Sequence, residues 1–552
     1  MRFLLLLSAV STAHGQLLPG IDPGLPEVPP IESLPSVQAQ GGGAASGPRL
    51  MERLLRLELL APASAVPAPG APGVGIDPDL RVPSPRTLAS RLEAWLGAPL
   101  EGSRLVALVD EILVHYDTEG YPVVLVDVPE QDLSEGRLFL RIEVGRIGKV
   151  GVGRPRYGQV DAIQQGLRLR SGDLLRRAEL DEQMDWYGRN LFRRPRLFVS
   201  PGELPATADL LIGLEERRPW RVTSAYENSG PDVLGRDRFL LGAAGMLPNE
   251  QVIAWQGVFG LPVSSLEAHA VNWEIPFHRV HQSLSISAAY ADVASLGYQP
   301  GPPPGVAQNE GTSWSLSMLQ QFHLPSLAGW RQRVHAGVEI KSTDQFLLFG
   351  VARVAPGEVR LVHGRAGYRL DREWEDGAAS FGVDLVGSPG GLMAGNDDAD
   401  FRDYDPRAGA SYWIGRARGS GWWAVGKDWR LAWRGSAQIS DSSLLPVEQF
   451  AVGGYQTVRG VAEREYFADN GWVGSFEVYS PSLRPVEGAR LRMLGFLDHG
   501  WLRSRGLDSN SVTGAGLGLR LRVSDWVDLR ADHGWRLDAG GSRSHVGVSM
   551  TF

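Results

Sequence analysis

The chain has 552 residues with 55 basic and 63 acidic side chains, so its formal net charge is -8 and a nucleic-acid partner is not expected. Cysteine is absent, which excludes disulfides, thiolate zinc sites, cysteine nucleophiles and the acylated cysteine of a lipoprotein. The length allows several domains, yet no stretch approaches the roughly 18 consecutive apolar residues of a membrane-spanning helix.

Residues 1–15, MRFLLLLSAVSTAHG, have the features of a secretory signal peptide. Arg2 supplies an early positive charge, a short apolar core follows, and Ala13 and Gly15 are small residues near its end. The alternative is a buried strand or helix of a cytosolic domain, but the residues that follow are not typical of a domain. The sequence therefore predicts export from the cytoplasm.

Residues 16–73 are rich in proline, glycine and alanine, a composition that favours an extended linker over a packed core. The exception is RLMERLLRLELL at residues 49–60, where leucines mixed with charges suit a short amphipathic helix. Two interpretations of this helix stay open. It is either a marginal helix within a linker or a movable plug between two flexible arms.

Residues 74–218 show the order helix, helix, strand, strand twice, which predicts two small α+β modules in series. In the first module, residues 74–145, two helical patterns precede the strand-like VVLVDVP and GRLFLRIEVG. In the second, residues 146–218, VDAIQQGLRL and RAELDEQMDWYGRN are helical, and RPRLFVSPGE and ADLLIGLEER are typical of strands.

Residues 219–552 change to strands of alternating side-chain character, separated by clusters of Gly, Pro, Asp and Asn. Arg333 to Lys341, for example, has one apolar and one charged face. Soluble sandwiches alternate too, but the export signal and the absence of helices to cover the apolar face favour a membrane β-barrel. We expect about sixteen antiparallel strands, because single-chain bacterial barrels have an even number.

A long segment, Asp441 to Asn470, separates the predicted eleventh strand, Trp429 to Ile439, from the twelfth, Gly471 to Tyr479. Loops of this length without structure of their own are usually functional or disordered. If the modules lie in the periplasm and the first strand starts there, this loop is extracellular. It contains YQTVRGVAER, with one arginine between valine and glycine.

The next strand, LRMLGFLDHGW, points an aromatic ring and a carboxylate toward the lumen. Met493 and Leu497 have the lipid-facing parity, whereas Phe496 and Asp498 have the opposite one. An inward carboxylate needs water or a cation, and an arginine carried in by a folded-back loop can supply a bidentate pair. The simpler alternative is a solvated loop cation and an unrelated lumen charge.

These residues resemble two motifs of the outer-membrane protein assembly and secretion superfamily. The V-R-G-[FY] loop motif is similar to Val458, Arg459 and Gly460, and the F-x-D-x-G strand motif to Phe496, Asp498 and Gly500. HYDTEGY, VPEQDLSEGRLFLRIEVGRI and SPGELPATADLLIGLEERRP resemble segments of its two-partner secretion branch, the TpsB-type haemolysin secretion/activation transporters. The chain departs from the pattern at Val461, where an aromatic is usual, and no first strand of the first module is found before Pro83.

The resemblance implies two periplasmic POTRA modules followed by a sixteen-stranded barrel in the outer membrane. It implies a loop-to-wall contact between Arg459 and Asp498, and a C-terminal Phe552 read by the barrel assembly machinery. The implied function is recognition of an unfolded exoprotein by the POTRA modules and its translocation through the barrel. The implied partners are this secreted exoprotein, outer-membrane lipid and the assembly machinery, with no catalytic residue, metal or cofactor.

Three other functions stay open. An assembly or insertion factor of the same superfamily would export nothing; the presence of only two modules and the QDL segment favour secretion. A barrel enzyme would need a catalytic constellation, and His281, Ser283, Ser285 and Ser287 lie close in sequence without a G-x-S-x-G or H-E-x-x-H motif. A passive porin would not need the two modules.

Overall fold

The computed structural model describes residues 49–66, 71–299, 305–344, 346–349, 352–354, 358–524 and 526–552. The predicted signal peptide lies outside these ranges, as does most of the predicted linker. Among the described residues, no helix is both long and apolar enough to cross a membrane.

Arg49–Met51 and Arg56–Leu60 are strands, so the helix predicted at residues 49–60 is wrong and the first module begins before residue 74. Arg56–Leu60 is an inner strand of a four-stranded sheet, paired in parallel with Gly73–Ile76 and Arg137–Val144. Leu57 and Leu59 lie two residues apart, so they share one face of the strand, and both are fully buried. Packing against the module's helices favours a strand here. The spacing of leucines in such a short segment does not distinguish a strand from a helix.

The first module packs two helices, Pro85–Glu93 and Gly102–Thr118, on this sheet, with Leu88, Leu108 and Ile112 in its core. Its remaining strands are Arg49–Met51, Leu100–Glu101 and Val124–Asp127. The second module has a three-stranded sheet ordered Arg146–Val152, Thr207–Glu216, Arg193–Pro201, and two helices, Val160–Gln165 and Arg177–Gly188.

Across the part of the chain that the structure describes, sixteen antiparallel strands form a closed barrel, as predicted. The last strand pairs with the first from Thr223↔Thr551 to Glu227↔Gly547, which closes the barrel. A short hairpin, Phe346–Phe349 and Ala352–Val354, extends the loop after the seventh strand. The sixteen strands are, in order, Trp220–Glu227, Arg238–Met246, Val252–Gly260, Leu266–Phe277, Gln282–Gln299, Gly305–Leu327, Trp330–Thr343, Val359–Trp374, Gly377–Ser388, Tyr412–Val425, Trp429–Ser440, Asn470–Tyr479, Arg490–Arg503, Ser509–Ser524, Val527–Arg536 and Ser542–Thr551.

Side chains alternate between the outer face and the lumen as the period of two requires. On the seventh strand Val338 is 54% exposed on the outer face, whereas its neighbour Glu339 is buried inside. On the thirteenth strand Leu497 is exposed and Asp498 is completely buried. The predicted numbers of the eleventh and twelfth strands are correct, so the loop between them lies at the end of the barrel remote from the modules.

The second module packs against the near end of the barrel through Trp186. Its indole stacks on the ring of His281, with centroids 4.7 Å apart and planes 9° apart. His281 Nδ1 lies 3.2 Å from Glu182 Oε1, and its Nε2 lies 2.8 Å from the main-chain oxygen of Gly166. Arg193 of the module also pairs with Glu250, which lies in the turn after the second strand. The helix Arg177–Gly188 is therefore held by the turns at the near end of the barrel.

Asp185 on this helix should make the packing of the second module on the barrel depend on pH. Burial raises the pKa of Asp185 to about 7, although Arg331 of the barrel, 3.6 Å away, opposes the rise. Because the packed state holds the proton more tightly, the contribution of Asp185 is complete below about pH 4 and is lost as pH rises through 7. We expect Asp185→Asn to slow amide exchange of the helix relative to the parent, and more at pH 8 than at pH 5.

The exposed helix carboxylate Glu179 offers the matched control Glu179→Gln. Its ion-pair partner is Arg176 of the same module, 4.0 Å away, and it pairs with no described residue of the barrel. A gain for Asp185→Asn that is equal at both pH values would contradict the assignment.

Candidate functional site

The long loop between the eleventh and twelfth strands folds back into the barrel as a hairpin. Its arms are the short strands Phe450–Val452 and Tyr466–Ala468, which pair in antiparallel fashion. We call residues 450–468 the lumen hairpin. Its tip carries VRG and lies against the inner wall formed by the twelfth to fifteenth strands.

Arg459 at the tip is completely buried and is bound to Asp498 in three ways. Its Nε donates to Asp498 Oδ2 at 2.8 Å and its Nη2 donates to Asp498 Oδ1 at 2.8 Å, which is the bidentate geometry. The main-chain NH of Arg459 also donates to Asp498 Oδ2, at 3.1 Å. One carboxylate therefore fixes both the side chain and the backbone of the tip.

Two further carboxylates face the same guanidinium. Glu477 Oε1 lies 2.7 Å from Arg459 Nη1, and Asp532 Oδ1 lies 3.6 Å from it. The ring of Phe496 lies on the guanidinium, whose central carbon is 3.4 Å from the ring centroid. The site therefore surrounds one arginine with three carboxylates and an aromatic face, which satisfies the charge of a cation removed from water.

Neighbouring arginines balance the excess of negative charge. Arg520 donates to both oxygens of Asp532, at 2.9 and 3.2 Å. Arg434 lies 3.7 Å from Glu477, and it also donates to the main-chain oxygen of Tyr455 at 3.3 Å. The tip is thus part of a wider network of alternating charges on the lumen wall.

Glycines on the wall give the tip room to approach. A Cβ at Gly514 would lie 2.1 Å from the main-chain oxygen of Arg459, and one at Gly534 would lie 2.6 Å from the NH of Gly460. A Cβ at Gly500 would lie 2.6 Å from the side chain of Val452. Gly460 itself has φ +94°, which favours glycine. Backbone therefore contacts backbone where the hairpin meets the wall.

Apolar packing on the other side of the tip uses Val458 and Val461, both buried. They belong to a cluster that includes Val452 of the first arm and Leu502 and Val512 of the wall. Val461, the departure from the superfamily pattern, is thus a core residue of this contact. Valine is therefore buried at this position without the aromatic ring that is usual in the superfamily.

Tyr455 adds a contact to the strands that close the barrel. Its ring lies under the guanidinium of Arg530, 3.9 Å from ring centroid to central carbon. Arg530 in turn donates to Glu227 of the first strand at 2.7 Å. Glu227 also forms a salt bridge with Arg238, whose Nη2 lies 2.8 Å from Glu227 Oε1.

The structure brings together Val458, Arg459, Gly460, Phe496, Asp498 and Gly500, and it places Phe552 elsewhere. Phe552 lies at the end of the last strand nearest the modules, where its NH donates to the oxygen of Val222 at 2.9 Å and its ring lies against Trp526. The role of each of these residues stays a prediction.

Sequence patterns did not single out three residues of this site, Glu477, Asp532 and Ser475. The hydroxyl of Ser475 accepts a hydrogen bond from Arg459 Nη2 at 3.1 Å. Strand alternation could have predicted that Ser475 and Glu477 point into the lumen. They pair across the sheet with the inward residues Asp498 and Phe496, respectively.

Of the four residues considered for a barrel enzyme, Ser285, Ser287 and His281 make other contacts. Ser285 and Ser287 both donate to Asn272, at 2.9 and 2.8 Å, and His281 faces the second module. No serine–histidine pair is formed by these four sequence neighbours.

Comparison with known proteins agrees with this architecture. Residues 267–521 match the family described as haemolysin secretion/activation protein ShlB/FhaC/HecB, and residues 79–145 match the ShlB-type POTRA domain. The chain is therefore similar to this family over most of its barrel and over its first module. The barrel of this TpsB-type protein therefore lies in the outer membrane with its POTRA domains in the periplasm, and the lumen hairpin enters from the extracellular side.

Individual relatives are more distant. Over 117 residues the chain is 27% identical to the outer membrane transporter CdiB-2 of Burkholderia pseudomallei (strain 1026b), a match that spans 21% of this chain and 20% of that protein. The solved structure of CdiB from Escherichia coli is similar with a TM-score of 0.72 and 18% identity, covering 95% of this chain and 94% of that one. CdiB from Acinetobacter baumannii gives 0.64 and 16%, over 91% and 90%. These two structures share the fold.

Proposed function

We propose that the protein is the transporter of a two-partner secretion system, which captures an unfolded exoprotein in the periplasm and passes it through the barrel. The observation that carries the proposal is the lumen hairpin, whose tip is held on the wall by the buried pair of Arg459 and Asp498. Such a hairpin obstructs the resting lumen and has a defined contact to release when a substrate passes. A passive porin needs neither the obstruction nor the modules.

The loop-to-wall contact is the element that moves during transport. Val458, Arg459 and Gly460 supply its loop side. Phe496, Asp498 and Gly500 supply its wall side.

The C-terminal strand serves a separate step, the insertion of the barrel. Phe552 ends the signal that the barrel assembly machinery reads. Its ring is about half exposed on the outer side of the barrel, where it also contacts lipid.

An exposed sheet edge of the second module supports the capture step. Arg193–Pro201 is an edge strand of the described sheet and pairs with Thr207–Glu216. Phe198 and Leu211 lie opposite each other on these strands, and each is about half exposed. An extended segment of the exoprotein can add to this edge through main-chain hydrogen bonds and pack an apolar side chain on the pair.

Replacing Phe198 with aspartate should weaken the binding of unfolded exoprotein by roughly tenfold or more, because a charge would then face the apolar side chain of the added strand. Binding of fluorescent exoprotein fragments to the full-length protein in detergent, followed by anisotropy, measures the change. Phe198→Leu is the matched control and should bind as the parent does. Equal affinity of both variants would place capture at another surface.

Secretion itself is tested by co-expression with the adjacent open reading frame and detection of its product outside the cell. We expect the exoprotein outside the cell only when both genes are present. If the protein were an assembly factor, deletion of its gene would lower the amounts of other outer-membrane barrels, and no exoprotein would depend on it.

A further inference from the structure

A second group of buried charges lies in the lumen, at the base of the lumen hairpin. Glu448 precedes the first arm by two residues and is 2% exposed. Its Oε1 accepts from Lys341 Nζ at 2.8 Å, and its Oε2 accepts from Arg416 Nη2 at 2.6 Å. Its main-chain oxygen accepts from Gln438 Nε2 at 2.8 Å. One loop carboxylate is thus held by two wall cations.

The wall cations lie on other strands than those that form the VRG contact. Lys341 lies on the seventh strand and Arg416 on the tenth, whereas Arg459 is bound by the twelfth, thirteenth and fifteenth. Lys341 also lies 3.3 Å from Glu339, and His363 links Glu339 to Tyr412. The base therefore rests on a cationic part of the wall, and the tip rests on an acidic part.

The second arm ends at the same place. Asp469, which follows that arm, is buried and accepts from the main-chain NH groups of Leu444 at 2.9 Å and Arg505 at 3.0 Å. Leu444 and Leu445 pack against Phe401, which lies on the helix Asp398–Tyr404 of the neighbouring extracellular loop. The base is consequently fixed by ionic, main-chain and apolar contacts that do not include the tip.

We propose that Glu448 is a second positioning residue of the transporter, which holds the base of the lumen hairpin on the seventh and tenth strands independently of Arg459. With two separate anchors of opposite charge, release of the tip leaves the base in place. The hairpin then swings inside the lumen and can return, without leaving the barrel. The swing rests on the proposed function, whereas the independence of the two anchors is tested without any secreted partner.

Single reporter cysteines separate the two anchors, because the chain has no cysteine of its own. Leu445→Cys reports on the base and Val461→Cys on the tip, and both positions are buried in the parent. In the purified, folded protein, Glu448→Gln should raise maleimide labelling at 445 by roughly tenfold and leave labelling at 461 near the parent rate. Arg459→Ala should do the reverse. A tenfold change corresponds to about 1.4 kcal/mol in the opening equilibrium.

Lys341→Met removes the same contact from the wall side and should reproduce the effect of Glu448→Gln. Glu358→Gln is the control, since Glu358 is an exposed carboxylate of another loop that pairs with Arg360. Heat-modifiable mobility in SDS gels shows that each barrel is folded. A folded Glu448→Gln variant that labels at 445 no faster than the parent would overturn the proposal. Equal increases at both reporters would also overturn it, because the hairpin would then move as one unit.

Discussion

Replacing Arg459 with alanine should reduce secretion to less than about a tenth of the parent level, while the folded barrel still reaches the outer membrane. The substitution leaves Asp498 and Glu477 as buried carboxylates without their main cation, which typically costs about 3 to 5 kcal/mol. The hairpin should therefore lose its docked position, whereas the barrel strands keep their main-chain hydrogen bonds. Immunoblots of exported exoprotein and of heat-modifiable barrel measure the two effects separately.

Two further variants serve as controls for the effect of Arg459→Ala. Arg402→Ala removes an exposed loop arginine that pairs with Asp398, a contact of the kind that is worth about 0 to 1 kcal/mol, so it should secrete normally. The double variant Arg459→Ala, Asp498→Ala should be less destabilised than the sum of the two single variants, because each single change strands the other partner. Normal export by Arg459→Ala would show that the contact has no part in transport.

Adding a methyl group at Gly514 should also displace the tip from the wall. The new Cβ would lie 2.1 Å from the main-chain oxygen of Arg459, so either the hairpin or the wall must shift. Overpacking of this kind costs about 1 to 3 kcal/mol, and here the hairpin is the part that can yield. We expect Gly514→Ala to label faster than the parent at the tip reporter Val461→Cys and to lower secretion.

Gly495→Ala is the matched control, because a Cβ at this glycine of the adjacent strand meets nothing within 4 Å. Both variants add one methyl group to the barrel wall, and both lower the flexibility of the unfolded chain. A similar loss of secretion in the two would mean that strand glycines matter for folding rather than for docking of the hairpin.

The barrel could be predicted from its sequence because each strand reports its own orientation. Val338 beside Glu339, and Leu497 beside Asp498, are local patterns that hold whatever the neighbouring strands do. Residues 49–60 could not be predicted in the same way. Leucines at 57 and 59 fit either a helix or a strand, and only contact with the sheet and helices of the first module decides between them.

Of the contacts at the tip of the hairpin, only the pair of Arg459 and Asp498 could be predicted from the sequence. Parity and strand order were enough to point Asp498 inward and to bring a long loop to the same side of the barrel. Parity does not say which inward charges the loop reaches, so Glu477, Asp532 and the glycines at 514 and 534 could not be distinguished from other lumen residues. Glu448 was also missed, because a single glutamate in a loop has no pattern that marks it as buried.

The glycines under the tip have a consequence for the passage of a polypeptide. Gly514, Gly516 and Gly518 follow one another along the inner face of the fourteenth strand, and Gly516 pairs with Gly534 on the next strand. Of these three glycines only Gly514 lies under the hairpin, because a Cβ at Gly516 would meet the ring of Phe496 and one at Gly518 would meet Asp532. The movement proposed for the hairpin would therefore expose main-chain groups at Gly514 and Gly534 beside the carboxylates of Asp498 and Asp532.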